Sequence, residues 1–410
     1  MIMKMLRCWL ILFLVVLTAP ASLSADPWKR HTIDQSSRGA DGVRVADVNG
    51  DGQLDLVTGW EEGGVIRVYL NPGAKQSQRP WPAVTVGKVK SPEDAVFADL
   101  DQDGFTDVIS CCEGRVRSVF IHWAPKDTQQ YLAAKSWTTT PIPAVQGKQM
   151  WMYCLPMQID GKHGLDLLVG SKGNGATVGW LQAPADPRQL EAWKFYPLYK
   201  AGWIMSLESL DVDRDGDLDV VVSDRKGAGR GVLWLENPGP AAAAAGKSWP
   251  EHRIGAAGLE VMFLAVADLD QDGKTDVVTT TRNQQLLFLR RSSQVPIRWQ
   301  PYEIANPYDI PWGKAVAVAD INGDGRLDLV HNTNTAGKRS APGMAWMSYR
   351  QKATDSHWRA HDISGKEGVK FDLIQVLDLD GDQDLDVISC EERDNLGVFW
   401  YENPGKKRLP

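Results

Sequence analysis

Cysteine and histidine are scarce in this chain, which has 5 cysteines and 7 histidines in 410 residues. Cys111 and Cys390 occupy one position of a repeat that elsewhere holds residues such as Gly59, so we interpret them as small residues of packed strands. A disulfide framework that also includes Cys112 and Cys154 is the less favoured alternative. No zinc-type histidine cluster, Walker loop, glycine-rich dinucleotide loop or nucleophile–base motif is present. The sequence alone therefore identifies no catalytic residue.

Positive charge and long apolar runs are also limited. Lysine and arginine total 45 against 52 aspartates and glutamates, for a formal net charge of −7, which disfavours nucleic acid as a partner. The apolar run from Trp9 to Leu17 follows two basic residues and precedes small residues, which is typical of a secretory signal peptide and too short for a membrane span. We expect residues 1–25 to be this signal peptide. The mature protein would then be periplasmic, on the cell surface or extracellular, with no membrane span.

What the chain does contain is a nine-residue acidic motif, repeated along its length. It has an acid at position 1, Asp or Asn at position 3, and Asp at positions 5 and 9. The full copies, numbered by their place in the series, are motif 1 (Asp47–Asp55), motif 2 (Asp99–Asp107), motif 4 (Asp211–Asp219), motif 5 (Asp268–Asp276), motif 6 (Asp320–Asp328) and motif 7 (Asp378–Asp386). Motif 3 (Gln158–Asp166) is a degenerate copy. Successive motifs begin 52 to 59 residues apart, which indicates one structural unit repeated seven times.

Four β-rich runs surround each motif. One run precedes it, a second follows it, a third comes after a polar loop, and a fourth begins with tryptophan, as at Trp28 and Trp249. Each unit is therefore predicted to be a four-stranded antiparallel sheet. Seven such sheets predict an all-β, seven-bladed β-propeller over residues 26–405, with a short tail at 406–410. Because a tryptophan-led run precedes motif 1 and the last unit lacks one, the N-terminal strand should complete the last blade.

The motif D-x-[DN]-x-D-G-x-x-D between two strands resembles the FG-GAP or VCBS repeat family, which includes the integrin α-subunit propeller. The resemblance extends over residues 26–405 and implies calcium in the loop between the first and second strands of each blade. An integrin-like Phe-Gly pair is not found before the motifs. The tryptophan-led strands are also similar in style to the propeller of aldos-2-ulose dehydratase, from which no catalytic residue is carried over.

The motif has the chemistry of a calcium loop, since calcium takes six to eight oxygen ligands. We expect up to six structural calcium sites, held by side chains at positions 1, 3, 5 and 9 and the carbonyl at position 7. The candidate ligands are Asp47, Asn49, Asp51, Gln53, Asp55, Asp99, Asp101, Asp103, Phe105, Asp107, Asp211, Asp213, Asp215, Asp217, Asp219, Asp268, Asp270, Asp272, Lys274, Asp276, Asp320, Asn322, Asp324, Arg326, Asp328, Asp378, Asp380, Asp382, Asp384 and Asp386. Solvated turns without metal and a catalytic metal are the alternatives.

The copies are not equivalent. Motifs 1 and 6 have Asn at position 3, which removes one carboxylate. Motif 7 has Gln383 where the other full copies have glycine. Motif 3 places Lys162 at position 5, so no calcium is expected there. An EF-hand is disfavoured because no glutamate stands at position 12 of the loop.

Ligand binding is expected on the face opposite the acidic motifs, in the loops after each second strand and before each first strand. Aromatic rings beside carboxylates and arginines are suited to sugars. The candidates are Glu61, Glu113, Arg115, Trp151, Lys172, Trp203, Arg225, Trp312 and Glu391. Packing between blades is the alternative for the tryptophans, and simple solvation is the alternative for the charged residues.

These observations favour an exported, calcium-stabilised, monomeric propeller that binds a carbohydrate or a protein. The alternative is a carbohydrate-active lyase or dehydratase with its site on the same loop face, using residues such as Glu113 or His163. A third hypothesis is a scaffold protein whose partner binds without contacting the residues of that face.

Overall fold

Twenty-eight strands make up the fold in the computed structural model, which describes residues 26–405 except 284, 306–307, 309–312 and 335–340. The predicted signal peptide, the tail at 406–410 and Trp312 lie outside the described residues. In chain order the strands are β1 (Lys29–Asp34), β2 (Ala40–Ala46), β3 (Asp55–Trp60), β4 (Val65–Tyr69), β5 (Ala83–Gly87), β6 (Pro92–Ala98), β7 (Asp107–Cys112), β8 (Ser118–Trp123), β9 (Thr138–Pro141), β10 (Met150–Met157), β11 (Asp166–Lys172), β12 (Thr177–Gln182), β13 (Lys194–Lys200), β14 (Ile204–Leu210), β15 (Asp219–Asp224), β16 (Gly231–Leu235), β17 (Glu251–Gly255), β18 (Val261–Ala267), β19 (Asp276–Thr281), β20 (Gln285–Gln294), β21 (Ile297–Ala305), β22 (Gly313–Ala319), β23 (Asp328–Thr333), β24 (Met344–Ser348), β25 (Arg359–Asp362), β26 (Phe371–Leu377), β27 (Asp386–Glu391) and β28 (Gly397–Glu402).

In the described residues, helical structure is confined to short segments between strands. They are α1 (Pro240–Ala244) and 3-10 turns at Thr128–Gln130, Ala134–Ser136, Pro143–Val145 and Leu190–Ala192. Within the described part of the chain, no helix is long and apolar enough to cross a membrane.

The strands form seven antiparallel sheets of four strands each, which are the seven blades of a propeller. Blades 1 to 6 each use four consecutive strands, beginning at β2, β6, β10, β14, β18 and β22. Blade 7 has the order β26-β27-β28-β1. The first strand of each blade contacts the first strand of the next, and β26 contacts β2, so the ring is closed. The predicted fold is confirmed.

The second strand of each blade forms the centre of the packing. Strands β3, β7, β15, β19, β23 and β27 are buried at every residue, because they lie between two strands of their own sheet and between two neighbouring blades. Their valine and isoleucine content suits a strand buried on both faces. The four cysteines beyond residue 25 are all buried and free, as expected for packing residues.

Blade 7 joins the two ends of the described chain. Strand β1 pairs antiparallel with β28, with Lys29 opposite Glu402 and His31 opposite Trp400. The His31 ring stacks on Trp400 at a centroid distance of 4.4 Å, and its Nε2 lies 2.7 Å from a carboxylate oxygen of Glu402. The prediction that the N-terminal strand completes the last blade is confirmed.

Candidate functional site

The acidic motifs form the turns between the first and second strands, at one end of the propeller. Positions 4 and 6 have positive φ in all seven motifs, including degenerate motif 3. Glycine suits this conformation because it has no Cβ. Gln383 of motif 7 nevertheless adopts it with φ of 72°, so the loss of glycine there leaves the turn unchanged.

The aspartate at position 9 has a structural role in every motif. One of its carboxylate oxygens accepts a hydrogen bond from the backbone N–H of position 2, at 2.9 to 3.3 Å. In six blades the other oxygen accepts from a backbone N–H of the segment that ends the third strand, at 2.7 to 2.9 Å. This explains why motif 3 keeps Asp166 although it has lost other acids.

Burial raises the pKa of these position 9 aspartates, to about 6 for Asp55, about 7 for Asp107 and about 8 for Asp386. Other carboxylates of the same motif raise it further, whereas the backbone hydrogen bonds lower it. A bound cation would favour the ionised form of these groups.

Carboxylates converge on one point in motifs 2, 4 and 5. In motifs 2, 4 and 5, positions 1, 3 and 9 offer oxygen atoms that all lie within 4.8 Å of one another. Each of these motifs also has buried carboxylate oxygens without a hydrogen-bond partner among the described residues. They are Asp101 Oδ1 and Asp103 Oδ2 in motif 2, Asp217 Oδ1 at position 7 of motif 4, and Asp270 Oδ1 in motif 5. These groups fit a hard cation with oxygen ligands. In motifs 2 and 5 an arginine also forms an ion pair with the aspartate at position 3. Arg188 Nε lies 2.5 Å from Asp101 Oδ2, and Arg290 contacts Asp270.

The opposite end of the propeller holds a cavity of about 250 Å³ at the mouth of the central channel. One residue from each blade lines it, always six positions before the start of the motif. We call this set the mouth ring, and it consists of Asp41, Glu93, Met152, Met205, Met262, Lys314 and Asp372. Blades 3, 4 and 5 therefore contribute methionine, whereas blades 6, 7, 1 and 2 contribute charged groups.

A second set of polar residues lies six positions after each motif, where the second strand passes into its loop. We call this set the rim, and it consists of Glu61, Glu113, Lys172, Arg225, Arg282, Asn334 and Glu392. Five of them line the same cavity: Glu61, Glu113, Lys172, Arg225 and Asn334.

Blades 7, 1 and 2 form an acidic arc, which we define as Asp41, Glu61, Glu93, Asp372 and Glu392. Buried Lys314 contacts Asp372 and lies 3.0 Å from Glu392, which Lys370 also contacts. On the other side, Lys172 contacts Glu113 and lies 3.5 Å from Glu93. Each of these lysines is therefore held by carboxylates at the edges of the arc.

Burial sets the protonation of the arc. It raises the pKa of Asp41 well above its usual value, and the charges of Asp372 and Glu392 raise it further. Burial likewise raises the pKa of Glu93 to about 8, although Lys172 opposes this shift. Burial would lower the pKa of Lys314, but the carboxylates of Asp372 and Glu392 outweigh it and hold that pKa well above its usual value. Lys314 is therefore a fixed positive charge.

Blades 3 to 5 provide a different surface around Trp203. Lys172 Nζ lies 4.6 Å and the Arg225 guanidinium 4.4 Å from the centroid of the Trp203 ring, which fixes the indole by cation–π contacts. The indole Nε1 has no hydrogen-bond partner among the described residues. Burial and the charge of Arg282 lower the pKa of Arg225. This side of the mouth thus combines an unused N–H donor with apolar methionine.

Comparison with known proteins gives one family match and several structural neighbours. The sequence matches the FG-GAP-like repeat family at residues 47–110 and 268–331. The chain carries FG-GAP-like repeats. No curated protein matches the sequence significantly.

Among solved structures, this propeller is similar to BBS1N, crystallised in complex with ARL6DN. The TM-score is 0.54 at 10% identity, over 92% of this chain and 97% of that chain. A second crystal of that complex gives 0.55 at 9% identity, with the same coverage. A lectin of Agrocybe aegerita, described as recognising non-reducing terminal N-acetylglucosamine, gives 0.45 at 13% identity over 80% of this chain and 81% of the lectin. At such identities the likeness to BBS1N shows the fold alone.

The structure brings together five of the residues predicted from the sequence. They line the mouth of the propeller and are Glu61, Glu113, Lys172, Trp203 and Arg225. Their role in binding a ligand stays a prediction.

The remaining candidates lie elsewhere. Arg115 is exposed outside the cavity lining. Trp151 is fully buried and meets Phe195 edge-on at 5.7 Å. Glu391 is buried and accepts backbone hydrogen bonds from Lys370 and Asp394. Trp312 lies outside the described residues.

Sequence reasoning missed the mouth ring. Its charged members lie within first strands that are otherwise largely apolar, a pattern that indicates core packing and not a loop. The signal that identifies them is the fixed offset of six residues from each acidic motif.

Proposed function

We propose that this protein is a carbohydrate-binding module whose ligand enters the mouth of the propeller, on the face opposite the acidic motifs. The observation that supports this is the cavity itself, which gathers side chains from all seven blades. Its volume of about 250 Å³ lies just below that of pockets for drug-sized molecules, so it suits one sugar ring or the end of a sugar chain.

The lining has the mixture of groups that a sugar requires. The carboxyl oxygens of Asp41, Glu61, Glu93 and Asp372 line the cavity and can accept hydrogen bonds from hydroxyl groups. Asn334 can both donate and accept. The free indole N–H of Trp203 is a further donor. Met152, Met205 and Met262 offer apolar surface for the ring carbons.

Calcium binding and export belong to the same proposal. Motifs 2, 4 and 5 have converging carboxylates that would hold calcium as a structural ion, at the end of the molecule away from the ligand. When bound, calcium would supply charge neutralisation between these carboxylates. The basic and apolar N-terminal segment supports export.

A carbohydrate lyase or dehydratase is the second candidate, because the mouth contains two carboxyl groups with opposite pKa shifts. Burial raises the pKa of Asp41, whereas Lys314 overcomes burial and holds the pKa of Asp372 below its usual value. A protonated acid beside an ionised carboxylate can serve as a general acid and a general base. Turnover of a ketosugar or an acidic polysaccharide that Asp372→Asn abolishes would favour this candidate over simple binding.

Binding to a panel of neutral, acidic and amino oligosaccharides tests the proposal, followed by titration calorimetry on the sugar that binds best. We expect Arg225→Ala to weaken binding about 10- to 100-fold, the range for one charged hydrogen bond. Arg115→Ala is the matched control, since Arg115 is exposed outside the cavity, and it should bind as the wild type does. Failure of every sugar to bind, or binding of a protein partner alone, would contradict the proposal.

A further inference from the structure

Three carboxylates of the acidic arc come together at the wall of the cavity. Asp41 from β2, Glu61 from the loop after β3, and Glu93 from β6 offer oxygen atoms within 4.8 Å of one another, and all three line the cavity. They belong to neighbouring blades 1 and 2, so the mouth brings together residues that are far apart in sequence.

Asp41 is the group in this trio that lacks a donor. Asp41 is 6% exposed, and its side chain is hydrogen-bonded to another carboxyl group, that of Asp372. No N–H or ammonium group of the described residues donates to it. Lys314 is held by Asp372 and Glu392, and Lys172 by Glu113 and Glu93. A buried carboxyl that faces a cavity without a donor requires a counter-charge to be ionised.

A primary ammonium group matches the geometry of the trio. It has three N–H donors in a tetrahedral arrangement. Hydrogen bonds of about 2.8 Å from such a nitrogen place the three acceptor oxygens about 4.6 Å apart, which is within the 4.8 Å limit on their separations here. The Lys314 ammonium, already held between Asp372 and Glu392, shows that this arc accommodates the group.

We infer that Asp41, Glu61 and Glu93 bind a protonated primary amine, so that the sugar taken by the mouth is an amino sugar. This inference rests on the function proposed above. The ammonium lies between the three carboxylates, and its arrival favours the ionised form of Asp41. The sugar ring then extends toward the methionines of blades 3 to 5, where its oxygens reach the indole N–H of Trp203.

Titration calorimetry at pH 7 with the full chain tests this inference. The ligands are glucosamine oligosaccharides, the same oligosaccharides after N-acetylation, and neutral glucose oligosaccharides of equal length. We expect the free amine to bind about 10- to 100-fold more tightly than either uncharged series, because a hydrogen bond to a charged group is being added.

Two matched variants locate the effect. Glu61→Gln should remove most of the preference for the amine, whereas Glu62→Gln should keep it, because Glu62 is exposed and pairs with Arg38 at 2.9 Å. Asp41→Asn should behave as Glu61→Gln does and also retain binding of neutral sugars.

Each other outcome is decisive. Equal affinity for all three series overturns the amine site but leaves carbohydrate binding in place, whereas no binding of any sugar overturns both. If lysine peptides bind and amino sugars do not, the amine that the trio binds belongs to a peptide and not to a sugar. An affinity that falls with added calcium in the wild type but not in Glu61→Gln would assign the trio to a metal ion instead.

Discussion

His331 shows how one buried residue can make the stability of this propeller depend on pH. It lies in β23 with 1% exposure, and neither ring nitrogen has a hydrogen-bond partner among the described residues. Burial lowers its pKa from 6.5 to about 4. Between these two pH values the His331 imidazole binds a proton in the unfolded chain but not in the folded chain. The contribution of this residue to stability is therefore fully present above pH 6.5 and is lost as the pH falls toward 4.

We predict that His331→Leu makes the free energy of unfolding less dependent on pH between 4 and 6.5. The contribution removed is on the order of 3 kcal/mol. At pH 7 the variant should be more stable by about 1 kcal/mol, because two unpaired polar atoms leave the core. Urea unfolding at several pH values measures both effects.

The control is His357→Leu, since His357 is exposed and the substitution should leave the pH profile unchanged. His122 and His361 also have pKa values lowered by burial, to about 3 and about 4, so part of the acid dependence should remain in His331→Leu. If the pH profile of His331→Leu equals that of the wild type, His331 binds its proton equally well in the folded and the unfolded chain.

At the level of the turn, the acidic motifs combine two tasks that the sequence pattern does not separate. Position 9 anchors the turn to the third strand in motif 3 as well as in motifs with converging carboxylates. Positions 1 and 3 also accept backbone hydrogen bonds within the turn, and in motifs 2, 4 and 5 they bring further carboxylate oxygens close to position 9. Motif 3, which has the anchor but lacks the acid at position 1, therefore offers an internal control for motif 4.

We predict that calcium raises the unfolding temperature and that Asp213→Asn in motif 4 reduces this rise. Calcium at 100 times its dissociation constant stabilises the folded state by about 2.7 kcal/mol per site. Asp213 is position 3 of its motif, and the same substitution at position 3 of motif 3, Asp160→Asn, should leave the calcium response intact. Thermal melts of the three proteins with calcium and with chelator provide the comparison. Equal melts with and without calcium in the wild type would rule out structural calcium.

The fold was predictable from the sequence because each blade repeats the same local signals. The motif marks one turn and the tryptophan marks the outer strand, and their spacing recurs seven times. The mouth was less predictable, since the residues that face the cavity depend on how the first strands of different blades lie against one another. Thus Trp151 and Met152 are adjacent in the chain, yet Trp151 belongs to the core cluster shared by blades 2 and 3 while Met152 lines the cavity.

For the molecule as a whole, closure of the ring depends on the pairing of β1 with β28. We predict that a chain starting at Gln35 has a markedly lower unfolding temperature than one starting at Asp26. Its blade 7 would lose one of its four strands and expose β28 as an edge. Differential scanning calorimetry compares the two chains.

A point variant separates pairing from chain length. His31→Ala removes the stacking on Trp400 and the contact with Glu402 but keeps the strand, so it should lower the unfolding temperature less than the deletion does. If the truncated chain melts at the same temperature as the longer one, β1 is dispensable for closure.

The mouth ring takes one side chain from each blade at an equivalent backbone position, yet its seven members span acid, base and thioether. Substitution there changes the surface that a ligand meets, while the sheets that support it stay the same. Randomising only these seven codons would therefore give a library of receptors on a constant scaffold. Selectivity in such a library would be adjusted one blade at a time.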